Sequence, residues 1–132
     1  MLDMVRPRLL LIDDEPHLAD FVANAGELSG YAAQIANGDE DFHHQFESDR
    51  PAVVALDLGM PGSDGVELLR FLAEQGFAGP VLIISGFDRR ILESAFRLGE
   101  ALGLRMVGPL EKPTRLETLE DLLKQLKPTL AQ

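Results

Sequence analysis

Cysteine is absent from the 132 residues. Disulfides and thiol chemistry are therefore excluded, and a cytoplasmic setting fits. No apolar run approaches the roughly 20 residues that a transmembrane helix needs, and the N-terminal MLDMVRPR has no signal-peptide core. Basic residues are in the minority: 12 Lys and Arg against 22 Asp and Glu leave a net charge of −10. That balance argues against direct nucleic-acid binding, which needs basic surface to displace counterions. Repeats, linkers and low-complexity segments are missing. So is a glycine-rich nucleotide loop, because Gly62-Ser63-Asp64-Gly65 has neither the P-loop lysine spacing nor the nucleophile-elbow pattern. The stretch from Lys127 to Gln132 is only a marginal tail, and no effector domain is expected after it.

What remains is the composition of an ordinary globule, with 45% apolar and 26% charged residues. Its length suits one domain with a sizeable core. Leu9 to Ile12 is an unbroken apolar run, as expected of a strand buried on both faces. Tyr31 to Ala36, Ala52 to Leu56, Val81 to Ile84 and Leu104 to Val107 read as four further strands.

Between these runs lie amphipathic stretches. Pro16 suits a first helical position, with Leu18, Phe21, Val22, Ala25 and Leu28 at helical spacing and Ser29-Gly30 as the stop. After the turn Asn37-Gly38, a more polar helix spans about Asp39 to Ser48. Asp64 with Glu67, and Thr114 with Glu117, form capping boxes for the third and fifth helices. Asp88 caps the fourth, which carries Ile91, Ala95, Leu98 and Leu102 on one face. The last helix is lined by Leu116, Leu119, Leu122, Leu123 and Leu126. Five β-then-α units with near-continuous apolar strands predict a parallel sheet covered by helices on both faces.

Such sheets bind ligands at the carboxyl ends of their strands. Strand one ends in Asp13-Asp14-Glu15, strand three in Asp57, strand four in Ser85, and strand five, after a short extension, in Lys112. Three carboxylates brought together repel one another and call for a cation. A hard divalent ion with oxygen ligands, Mg²⁺ before Ca²⁺, suits the set. With a lysine and a hydroxyl added, the group has what is needed to stabilise a phosphoryl group. Asp57 would be the nucleophile. Singly, each residue has a plainer role: the aspartates as turn or helix caps, Ser85 as a loop residue, Lys112 as a solvated charge. Their convergence on four strand ends carries the functional reading. His43 and His44 lack a third ligand at metal spacing and read as surface histidines. Arg89, Arg90 and Arg97, interleaved with Glu93 and Glu100, read as a solvated helix face, and the methionines form no stripe.

These motifs together resemble the receiver domain of two-component response regulators. The resemblance covers about residues 7 to 127, within a single domain of residues 1–132. It rests on Leu9 to Pro16, on Asp57-Leu58-Gly59-Met60-Pro61 with Asp64-Gly65, on Ser85-Gly86 and on Lys112-Pro113. It implies a doubly wound, flavodoxin-like (βα)5 fold with strand order 2-1-3-4-5. It also implies that Asp57 accepts a phosphoryl group from a histidine kinase or histidine phosphotransfer protein. Mg²⁺ would be held by Asp14, Asp57 and the Gly59 carbonyl, with Asp13 helping through water. Ser85 and Lys112 would contact the phosphoryl oxygens, and Pro113 would follow in a cis peptide. Output would pass through the surface of the fourth helix, fifth strand and fifth helix, to an effector or a second copy of the chain.

Three features depart from the family pattern. Receivers often carry an aromatic residue three positions before the lysine, and here that place holds Pro109, which has no ring to swing. Lys112 follows Ser85 by 27 positions, about one helical turn more than in most receivers. The extra residues fall in Phe96 to Arg105. The segment ESAFRLGEALGLRMVGPLEKP also resembles receivers that stand ahead of cyclic-di-GMP phosphodiesterase (EAL) domains.

Two other functions compete. A haloacid-dehalogenase-type Mg²⁺ phosphatase uses a similar strand-end aspartate, but it wants a second aspartate where this chain has Gly59, and the chain is short for one. A phosphorylation-independent interaction domain is the other. The receiver reading makes the chain a switch that acts only on its own phosphoryl group, not a metabolic enzyme.

Overall fold

The computed structural model describes residues 6–13, 16–57, 65–85, 89–111 and 115–130. Five strands alternate with five helices: β1 (Arg8–Ile12), α1 (Pro16–Leu28), β2 (Ala32–Ala36), α2 (Asp39–Ser48), β3 (Val53–Asp57), α3 (Gly65–Glu74), β4 (Pro80–Ser85), α4 (Arg89–Ala101), β5 (Arg105–Glu111) and α5 (Leu116–Leu130). All pairings are parallel, in the order β2-β1-β3-β4-β5. The expected fold class and strand order are the observed ones.

The unbroken apolar runs follow from burial on both faces. Leu10, Ile12, Val54, Leu56, Val81 and Ile83 pack under α2, α3 and α4. Their neighbours Leu9, Leu11, Val53, Ala55, Leu82 and Ile84 pack under α1 and α5. Successive residues of a strand point to opposite faces, so each strand feeds both cores. Burial of each such side chain stabilises the fold by roughly 1.5–3 kcal/mol.

Three helices return the chain to the sheet by one device. Gly30, Gly76 and Gly103 adopt positive φ values of 94°, 67° and 90° just past α1, α3 and α4. The next residue then donates to a carbonyl in the last turn: Tyr31 to Gly26, Phe77 to Leu72 and Leu104 to Gly99. This is the Schellman arrangement, which satisfies carbonyls the helix end leaves free. In each case the donor residue (Tyr31, Phe77 or Leu104) is buried.

The structure corrects several expectations. Leu102, assigned to the buried face of the fourth helix, is 37% exposed. The turn at Gly103 follows it and sends Leu104 inward instead, while Leu92 and Ala95 supply the buried face of α4. The side chain of Ile91 lies outside the described residues. His43 is no plain surface residue: its ring lies 4.0 Å from that of Phe71 at an interplanar angle of 10°. That stack extends an aromatic cluster of Phe42, Phe46, Phe71 and Phe77 joining α2 to α3. α5 continues past Lys127 through Pro128 to Leu130, although a proline there removes one backbone donor and crowds the preceding turn. β5 runs four residues beyond Val107, to Glu111.

Close contacts fix the seating of the layers. A Cβ on Gly79, just before β4, would lie 2.3 Å from the Ala52 carbonyl oxygen. On α4, a Cβ at Gly99 would lie 2.2 Å from the Met106 sulfur. The first obstacle is backbone, whereas the second is a flexible side chain. Gly79→Ala is expected to lower stability by about 1–3 kcal/mol and Gly99→Ala by less, as urea unfolding would measure.

The phenol of Tyr31 donates to the Leu123 carbonyl at 2.7 Å, and Ser29 Oγ donates to the Glu120 carbonyl at 3.4 Å. Together they tie α5 to the exit of α1. Burial pushes the Tyr31 phenol up to about 12 from its usual 10. The folded state therefore holds this proton where the unfolded chain releases it. The stabilisation is complete below pH 10 and is lost as pH rises towards about 12. Tyr31 is the chain's one tyrosine, so near-UV tyrosinate absorbance should titrate late in the native protein and normally in urea. Tyr31→Phe should remove this part of the alkaline destabilisation.

Candidate functional site at the carboxyl edge of the sheet

Strand register sets which residues leave the sheet together. Ile12 stands beside Leu56, Asp57 beside Ile84, and Ser85 beside Glu111. β1, β3, β4 and β5 therefore end within about one residue of a common line. Asp13 follows the last residue of β1, Asp57 is the last residue of β3, and Ser85 is the last of β4. The parallel pairing brings their backbones to one edge although they lie far apart in sequence. Apolar packing of both faces up to Ile12, Leu56 and Ile84 positions that edge.

Asp13 is 9% exposed, one of two buried polar residues among the described ones. It borders a cavity of about 10 Å³ whose other walls, among them Leu11, Val22, Ala55 and Ile84, are apolar. Its carboxylate oxygens are hard donors of the kind Mg²⁺ and Ca²⁺ select, so the donor chemistry at this strand end suits a divalent cation. Asp14, Gly59, Lys112 and Pro113 lie outside the described residues, as do the side chains of Asp57 and Ser85. Among the described residues no group of three or more His, Cys, Asp or Glu side chains is placed to hold a metal.

On the other side of the sheet edge, β5 is irregular. Leu82 pairs with Val107 and Ile84 with Leu110, so Gly108 and Pro109 both stand opposite Ile83. Two residues against one make a β-bulge. Gly108 takes φ 93°, and a Cβ there would sit 3.1 Å from the Leu110 nitrogen; glycine meets both demands. The Gly108–Pro109 peptide is cis. The bulge carries the strand past the expected Val107 boundary, so the approach to Lys112 is part of the sheet and not a loose extension. Sequence reasoning picked out Pro109 as unusual but not the bulge. Gly-Pro inside an apolar run was the available signal.

Charged groups elsewhere serve local structure. Asp41 accepts from the Asn37 backbone N–H and from Gln45, which hold its carboxyl below the usual range at the start of α2. Glu27 accepts from the Ala33 N–H and from Arg6, with the same direction of shift. Neither belongs to the strand-end group.

The model of the response regulator receiver domain family matches residues 9–124. The chain belongs to that family. It is a receiver domain, the phosphorylation-activated switch of two-component systems. The positive alginate biosynthesis regulatory protein of Pseudomonas aeruginosa is 33% identical over 121 residues, which are 89% of this chain and 46% of that protein. A response regulator from Colwellia psychrerythraea is 26% identical, with a TM-score of 0.78 over 93% of this chain and 98% of that one. The chemotaxis protein CheY4 of Vibrio cholerae, 22% identical, shares the fold with a TM-score of 0.75, covering 92% of this receiver and 98% of CheY4. The receiver spans 17% to 53% of the length of the curated relatives it matches. Receivers generally use Mg²⁺ for phosphorylation. No helix among the described residues is long and apolar enough to cross a membrane.

Proposed function

We propose that Asp57 is the phosphoacceptor of this receiver and that the whole of residues 1–132 forms one switch domain working in the cytoplasm. The observation that carries this reading is the common termination of β1, β3 and β4, which supports Asp13, Asp57 and Ser85 as one group. A carboxylate oxygen of Asp57 attacks phosphorus, and the bond from phosphorus to the donor's leaving group breaks with its electron pair going to that group. The donor is a phosphohistidine of a histidine kinase or of a histidine phosphotransfer protein. Asp13, Asp14, Asp57 and the Gly59 carbonyl would hold Mg²⁺, which when bound supplies positive charge to the transferring oxygens. Lys112 adds a point charge from the end of β5, and Ser85 adds a hydroxyl donor. Both stabilise charge on the phosphoryl oxygens, where catalysis of this transfer chiefly lies. Pro113 fixes the turn that follows the lysine, in a cis peptide.

The receiver's output is a changed surface over α4, β5 and α5, read by an effector protein, an attached domain such as an EAL domain, or a second copy of the chain. With a net charge of −10, the receiver itself is expected to contact neither nucleic acid nor membrane.

Incubation with Mg²⁺ and acetyl phosphate should add one acid-labile phosphoryl group by intact-mass measurement, and chelation should prevent it. Equal labelling of Asp57→Ala would refute the assignment. Beryllofluoride with Mg²⁺ should raise the light-scattering mass from monomer towards dimer, and a mass that stays monomeric would count against the dimer. Pro109 favours one other reading, an interaction domain indifferent to phosphorylation. A solution shape and association state unmoved by beryllofluoride would support it.

A further inference from the structure

β2 is an outer strand of the sheet, and its sequence AAQIA has neither a charge nor a proline. Nothing in those side chains discourages a further strand from pairing with it. The Ala32 N–H donates to the Pro7 carbonyl on the β1 side. Backbone direction alternates along a strand, so Gln34 and Ala36 also face β1, while Ala33 and Ile35 turn their N–H and C=O groups outward.

Side chains from two helices engage those outward groups. The Ala33 N–H donates to Glu27 Oε2, in the last turn of α1, at 3.0 Å. The Ile35 carbonyl accepts from Gln45 Nε2, on α2, at 3.4 Å. One residue past the strand, the Asn37 N–H donates to Asp41 Oδ2 at 2.8 Å. Further bonds hold these side chains in place. Arg6 donates to Glu27 Oε1 at 2.9 Å, and Gln45 donates to Asp41 Oδ2 at 2.9 Å. Gln34, between the two outward-facing residues, is exposed.

A second copy offers the same uncharged strand. Two β2 strands laid antiparallel about a two-fold axis through Gln34 would set Ala33 of one opposite Ile35 of the other. Such a pair depends on bonds from each Ala33 N–H to the facing Ile35 carbonyl. Glu27 and Gln45 occupy that donor and that acceptor.

We infer that Glu27 and Gln45, the latter positioned by Asp41, close β2 against antiparallel pairing with the β2 of a second copy. The two helices that flank the strand thereby cover its rim with polar side chains as well as its faces with apolar ones. Association of this receiver is directed away from the β2 side. No phosphoryl group enters this device, so it stands apart from the Asp57 reading.

The experiment uses the full chain without Mg²⁺ or beryllofluoride, following light-scattering mass and amide hydrogen exchange. Glu27→Ala combined with Gln45→Ala should raise the mass to about twice the wild-type value at equal concentration. Adding Gln34→Lys sets like charges opposite each other on the two-fold axis and should restore the wild-type mass. A folded double variant, by circular dichroism, whose mass equals that of the wild type would overturn the inference. So would association that Gln34→Lys leaves unchanged, because the contact would then lie elsewhere. Glu27→Ala alone removes an exposed side chain and should also raise the mass, by a smaller factor. In the wild type the Ala33 and Asn37 amides should exchange at least roughly tenfold more slowly than in an unstructured peptide. Exchange as fast as in the peptide would overturn the inference without any variant.

Discussion

Helices wall the sheet on both faces, so every central strand must present apolar side chains to two cores at once. That requirement fixes the register. A slip of one residue along β1 or β3 would exchange the sets {Leu10, Ile12} and {Leu9, Leu11} between cores of different shape. It also decides where polar chemistry is permitted. Between the helical layers a charge has no solvent and few partners, so acidic side chains are excluded along the strands and reappear where they end. Asp13 and Asp57 stand at that boundary, the first already enclosed and the second closing β3.

The helices are held to this sheet by backbone devices more than by surface charge. The turns at Gly30, Gly76 and Gly103 deliver Tyr31, Phe77 and Leu104 into the interior. Tyr31 then reaches across to α5, so the end of one helix anchors another 92 residues later. The described ion pairs, such as Arg6–Glu27 and Arg70–Glu67, are largely exposed, and such pairs add little. Hydrogen bonds tie α1 to α5 on one side of the sheet, whereas on the α4 side a glycine, a thioether and a hollow meet β5.

Much of this was legible beforehand because the relevant signals are local. A run such as Leu9 to Ile12 followed by Asp13-Asp14 announces both a buried strand and its end. The parallel α/β fold class and the strand-end aspartates follow from that alternation, while the strand order came from the resemblance to receiver domains. The features that escaped depend on contacts distant in sequence. Leu102 fits the helical spacing, and only the turn at Gly103 takes it out of the core. His43 resembles any exposed histidine until Phe71 arrives from another helix. The bulge at Gly108 and Pro109 exists only relative to Ile83 on β4.

The bulge in β5 has a bearing on how the domain avoids unwanted company. β5 lies at the edge of the sheet, where unpaired N–H and C=O groups invite another strand to add on. Pro109 offers no N–H, and the bulge interrupts the even spacing that a pairing strand would need. A neighbour approaching from that side meets side chains and finds no continuous ladder to extend. Assemblies built on this edge would thus be governed by side-chain chemistry, which a change of charge or packing can reverse, and are protected from the open-ended growth of strand upon strand.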